Sequence, residues 1–161
     1  MVRWVMAFLG LLPLLGGAAP SVELVLPGLD GKPYRLSDYR GQWVVVNYWS
    51  TTCPPCLKEI PELSRFHDRH KDEDAVVLGI DYEEIPRLWL KEFSENRKIS
   101  YPVLLGPPGA PTPLGPVVAL PSTFLVSPDG EVIGRHVGPV TAKALEAFLQ
   151  ERSRQAAGAG R

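Results

Sequence analysis

Between residues 43 and 50 the chain reads WVVVNYWS, an apolar, β-branched and aromatic run interrupted by one amide. A strand buried on both faces requires that pattern. The period then changes. Leu57, Ile60, Leu63 and Phe66 fall at helical spacing, and Pro54 suits a first helical turn, where its missing N–H is not needed. AVVLGIDY (75–82) predicts a second buried strand. IPRLWLKEFSEN (85–96) predicts an amphipathic helix with Leu88, Trp89 and Phe93 on one side. Ahead of these, VELVLPGLDGKPYRLSDYRGQ (22–42) alternates around Asp30-Gly31, a hairpin turn signal. YPVLL (101–105) precedes GPPGAPTPLGP (106–116), which with five prolines in eleven residues can only be loop. STFLVSPDGEVIGRHVG predicts two strands about the Asp129-Gly130 turn, and TAKALEAFLQERSR a final helix opened by Thr141.

The order is therefore a hairpin, then strand, helix, strand, helix, strand, hairpin, helix. Its early β-α-β part demands parallel strands and its closing hairpin antiparallel ones. The class is α/β, a mixed central sheet flanked by helices with a β-hairpin at the N-terminal side. The domain is expected over 22–150 and a flexible tail over 151–161.

Residues 1–19 follow different rules. Arg3 is the only charge before Glu23, and an apolar run, WVMAFLGLLPLL, leads into GGAAP. These are the parts of a secretory signal peptide, with cleavage after Ala18, or of an uncleaved anchor over residues 4–19. Either reading exports the domain to a periplasmic or other extracytoplasmic space. No cysteine stands near residue 20, which excludes a lipid anchor there. The balance of 17 Lys+Arg against 18 Asp+Glu gives no electrostatic reason to expect nucleic acid as partner.

The chain has two cysteines, Cys53 and Cys56, in the stretch TTCPPC. A staple is a poor use of them, because a bridge over two residues closes almost no loop. Zinc is suggested by His67 and His70 downstream, but a helix rising ~1.5 Å per residue would put His67 roughly 16 Å from Cys56. The sequence instead places both histidines at a solvated helix end. A redox pair fits better. Cys53 stands where a strand ends and a helix begins, and the free N–H groups of a helix start favour a thiolate. Cys53 is then the exposed nucleophile, and Cys56, one turn on, the resolving thiol.

With these residues in place, VVVNYWSTTCPPCLKEIPEL and LPSTFLVSPDGEVI make the chain resemble the thioredoxin-fold thiol-disulfide oxidoreductases, specifically the exported TlpA/ResA-like group. The resemblance spans about residues 22–150. It implies a Cys53–Cys56 redox disulfide and a cis Pro121 facing it, with the Leu120 backbone free to pair with an extended substrate. It implies that Trp49 packs beneath the site and helps to bind substrate, and that Glu59 relays the proton that resolution needs. Asn47 stands where thioredoxin itself has a buried aspartate, and Thr52 where the group usually has a second tryptophan. No cofactor or metal is implied. The partners implied are extracytoplasmic protein thiols and disulfides and a membrane thiol-reductant donor, with the protein a monomer. The activity implied is reduction of disulfides, as in cytochrome c or copper-oxidase maturation. A disulfide-donating oxidant of the same fold and a Cu(I) chaperone using the two thiolates stay open as alternatives. A peroxidase is disfavoured, since VNYWSTTC lacks the proline such sites carry ahead of their cysteine.

Overall fold

The structure, a computed structural model, describes residues 21–159. The 1–19 segment and its two readings lie outside the described residues. Among the described residues, seven strands and three α-helices follow in the expected order. A hairpin of β1 (Val25–Pro27) and β2 (Pro33–Arg35) leads through a 3-10 turn (Leu36–Tyr39) to β3 (Trp43–Trp49) and α1 (Pro54–His70). Then come β4 (Ala75–Asp81), α2 (Arg87–Asn96), β5 (Val103–Leu105), β6 (Ser122–Val126), β7 (Val132–Val137) and α3 (Ala142–Ala159). The hairpin turns at Gly31, whose φ of 86° suits a residue without a Cβ.

The main sheet has the order β5-β4-β3-β6-β7. β3, β4 and β5 run parallel, while β6 and β7 are antiparallel to their neighbours. β3 therefore lies at the centre, and its buried sequence follows from having strands on both sides and cover on both faces.

That cover is unequal. One face carries all three helices, which pack Ile60, Leu63, Phe66, Leu90, Leu145 and Leu149 against Val45 and Val77. Among the described residues the opposite face carries no α-helix. The N-terminal hairpin covers it with Leu24 and Leu26, and the proline-rich loop with Leu114 and Val117. The loop is tied down: Tyr82 donates its hydroxyl to the Ala110 carbonyl at 2.8 Å, and Thr112 Oγ1 donates to the Gly115 carbonyl at 2.9 Å. Prolines let an irregular segment take a helix's place, since each leaves one N–H fewer to satisfy over an apolar face.

Three expectations need correction. α3 continues to Ala159, so residues 151–159, expected as a flexible tail, are helical, with nearly all of 151–158 exposed. Leu88 and Trp89 are 65% and 66% exposed, whereas Leu90 is fully buried. At about 100° per residue the inward face of α2 is Leu90, Phe93 and Ser94, with Leu88 nearly opposite. Ser94 disguised that face by being polar, yet its hydroxyl is satisfied inside the helix, donating to the Leu90 carbonyl at 2.7 Å. Finally, His67 is buried. Its Nδ1 accepts the Val77 N–H at 3.1 Å, and burial holds the ring below the usual histidine pKa, so it sits neutral under the sheet. His70 does stay at the helix end, beside Asp74 at 2.8 Å.

Candidate active site

Cys53 and Cys56 form a disulfide, with an S–S distance of 2.06 Å and Cα atoms 5.2 Å apart. Cys53 caps α1: its backbone is extended, and its Sγ accepts the Cys56 N–H at 3.3 Å. Pro54 and Pro55 fill the first two helical positions and have no hydrogen to give, so Cys56 supplies the donor at the helix start. Cys53 is half-buried and Cys56 fully buried. An attacking partner thus meets Cys53 first.

Glu59, one turn beyond Cys56, is 1% exposed. Its Oε1 accepts from Asn47 Nδ2 at 2.8 Å, and its Oε2 accepts the Val140 N–H at 2.9 Å. Burial dominates these two bonds and pushes its pKa from 4.5 up to about 7. A solvated surface charge is therefore excluded. Asn47 also donates to Thr123 Oγ1 at 3.1 Å, while its own Oδ1 is buried without a partner. Turning the amide over would set that oxygen against Glu59, which suits the protonated acid as the present orientation suits the carboxylate. The residue standing where thioredoxin has an aspartate thus serves the glutamate. One helical turn on, Glu62 Oε2 accepts the Ala142 N–H at 3.0 Å, so one face of α1 holds the start of α3 with two carboxyl groups.

Trp49 is 1% exposed and packs near Phe93, ring centroids 6.0 Å apart. It lies in the core with Cys56 and Ile60, beneath the disulfide, and offers almost no surface of its own to a substrate. The Leu120–Pro121 peptide is cis. β6 pairs Ser122 with Tyr48, which brings Pro121 level with Trp49 at the end of the sheet from which Cys53 emerges. The Pro121 carbonyl accepts the Gly138 N–H at 2.9 Å, while the N–H and carbonyl of Leu120 make no hydrogen bond within the described residues.

Sequence reasoning missed Thr123 and a second pair of acids, Asp81 and Glu83. Asp81 is 2% exposed with one oxygen unpartnered, and Glu83 Oε1 accepts the Thr51 N–H at 2.6 Å. A signal was present, since a carboxyl ending an otherwise apolar buried strand needs a reason. Among the described residues no group of three or more His, Cys, Asp or Glu could hold a metal ion.

The geometry, a disulfide at a strand-to-helix junction with a cis proline across from the same strand end, agrees with the comparisons. The model of the AhpC/TSA family matches residues 15–135. The chain belongs to that family. It is 31% identical over 137 residues to a thiol-disulfide oxidoreductase ResA of Bacillus thuringiensis subsp. konkukian (strain 97-27), covering 85% of this chain and 78% of the relative. A solved structure of a DsbF homologue from Corynebacterium diphtheriae is similar at a TM-score of 0.75 and 26% identity, over 85% of this chain and 88% of that one. A secreted thiol-disulfide isomerase from Corynebacterium glutamicum is similar at a TM-score of 0.71 and 25% identity, over 78% and 80%. The fold is thioredoxin-like, and the protein is a thiol-disulfide oxidoreductase of the ResA type with Cys53–Cys56 as its CxxC pair.

Proposed function

We propose that this oxidoreductase is exported and works as a reductase of disulfides in extracytoplasmic proteins, in the setting of cytochrome c or copper-oxidase maturation. The observation that carries the direction is the helix start. A thiolate at Cys53 has the Cys56 N–H as donor but none from Pro54 or Pro55. Stabilising the reduced form is what makes a strong oxidant, so a site short of donors leans towards reduction. Export is supported by the composition of residues 1–19 and by likeness to a protein described as secreted.

In the reduced enzyme the Cys53 thiolate attacks a substrate disulfide, forming a mixed disulfide and releasing one substrate thiolate. Leu120, with its free N–H and carbonyl, pairs with the extended substrate segment. Cys56 then gives its proton to Glu59 and attacks Cys53 Sγ. The second substrate sulfur leaves as thiolate, and the Cys53–Cys56 bond forms. Two electrons have gone to the substrate, and a membrane-bound thiol reductant returns them. A Glu59 carboxyl with a pKa near 7 can both take and release that proton at neutral pH.

Trapping tests the roles. Cys56→Ser should hold exported proteins on Cys53 as stable mixed disulfides, and Cys53→Ser should capture essentially none. Equal trapping by both would refute the assignment.

A further inference from the structure

The loop leading into Cys53 is fastened by a group that the steps above do not use. β4 ends on Asp81, paired with Trp49 at the end of β3, and the chain turns out through Tyr82 to Glu83. Glu83 Oε1 accepts the Thr51 N–H at 2.6 Å, and Oε2 faces the Thr52 hydroxyl at 3.4 Å. One side chain thus spans both residues that precede the nucleophile. The Ser50 hydroxyl approaches Thr52 Oγ1 at 3.5 Å and completes the turn.

Asp81 supports Glu83 from within. It is 2% exposed, with Oδ1 unpartnered, and burial first, then the charge and hydrogen bond of Glu83, push it from 3.8 up to about 7. Asp81 is thus held towards its neutral form, and the more exposed of the two acids is Glu83. Glu84 and Arg87 line the same hollow. The Arg87 guanidinium is engaged elsewhere, donating to the carbonyls of Gly28 and Leu29 at 3.2 and 2.8 Å. Among the described residues neither Asp81 nor Glu83 is in an ion pair with a lysine or arginine. The negative charge beside the loop is therefore left standing.

We propose that Glu83 is a positioning residue for Cys53: its two hydrogen bonds fix the Thr51–Thr52 turn, and its charge restrains ionisation of the adjacent thiol. This deepens the reductase reading and rests on Cys53 as the attacking thiol. A like charge beside a thiol disfavours the thiolate, which adds to the shortage of donors at the helix start. Thr52, the residue before the nucleophile, supplies the hydroxyl that Glu83 faces.

Two variants separate the clamp from the charge. Glu83→Gln keeps an oxygen for the Thr51 N–H and removes the charge, whereas Glu83→Ala removes both. In the reduced full-length domain, alkylation of Cys53 is followed against pH by mass of its peptide, and exchange of the Thr51 amide by NMR. Glu83→Gln should lower the alkylation midpoint by about half a pH unit, an effect of the size of one partly screened charge, and keep Thr51 protected. Glu83→Ala should also raise Thr51 exchange by about tenfold or more. An alkylation profile of Glu83→Gln that superimposes on wild type would overturn the charge role. Unchanged Thr51 exchange in Glu83→Ala would overturn the clamp. Neither readout depends on the direction of electron flow, so failure of the reductase reading, seen as a Cys53–Cys56 potential in the range of a strong oxidant, is told apart from failure of this one.

Discussion

Glu59→Gln asks whether the fold stores a proton one turn below Cys56. The carboxyl's pKa stands at 4.5 when solvated and rises to about 7 on burial. The folded state thus binds the proton more tightly than the unfolded state. Its contribution to stability is complete below the unfolded value and is lost as pH rises through the folded one. At about 1.4 kcal/mol per pH unit the full swing is about 3 kcal/mol. Asp81, also raised to about 7, acts in the same sense. His67, lowered from 6.5 by burial, acts in the opposite one, losing stability as pH falls through the unfolded value. The informative quantity is therefore the difference between wild type and Glu59→Gln, in which the other two cancel. Glutamine matches the volume but can accept only one of the bonds from Asn47 and Val140 without rearrangement, a cost of about 1–2 kcal/mol that does not vary with pH. Urea unfolding of the oxidised protein at pH 5, 6.5 and 8 gives the comparison. Wild type should be the more stable at pH 5, and between pH 5 and pH 8 its advantage should shrink by about 2.5 kcal/mol, since pH 5 already lies above the unfolded value, and reverse by pH 8. A difference constant across that range would show that Glu59 ionises normally in the fold and that the buried proton store does not exist.

Two further predictions address the helix start and the face of α2. Pro55→His restores an N–H to the first turn of α1 and adds a potential positive charge, so it should lower the Cys53 pKa and raise the reduction potential by tens of millivolts in glutathione titrations. A mutant no more oxidising than wild type, or a wild-type potential near the roughly −120 mV of a strong periplasmic oxidant, would sink the reductase direction. Leu90→Ala should cost about 2–5 kcal/mol and Trp89→Ala no more than about 0.5, since the first is fully buried and the second two-thirds exposed; equal losses in urea midpoints would contradict the assigned face.

What the sequence determined by itself lies within a few residues along the chain. The change from a strand pattern to a helical one at Cys53, the proline at the helix start, the Gly31 and Gly130 turns and the Thr141 cap all depend on neighbours one to four positions away. Thr141 does cap α3, accepting the Ala144 N–H at 3.2 Å. The cysteine pair was legible for the same reason, because its chemistry needs only a strand end followed by a helix start. Tertiary structure decided the rest. Glu59 finds Asn47 12 positions away and Val140 81 positions away, and only that enclosure turns a helix-surface glutamate into an acid with a pKa near 7. Glu83 meets Thr51 32 positions back in the chain. A serine looks equally polar in solvent and on the buried face of α2, where Ser94 closes its hydroxyl on its own helix. The proline-rich loop reads as a tolerated insertion until it is seen to cover, with the N-terminal hairpin, a sheet face that bears no α-helix among the described residues. Local pattern fixes which backbone bonds can form, but burial depends on what the rest of the chain places overhead, and burial decides the chemistry of a side chain.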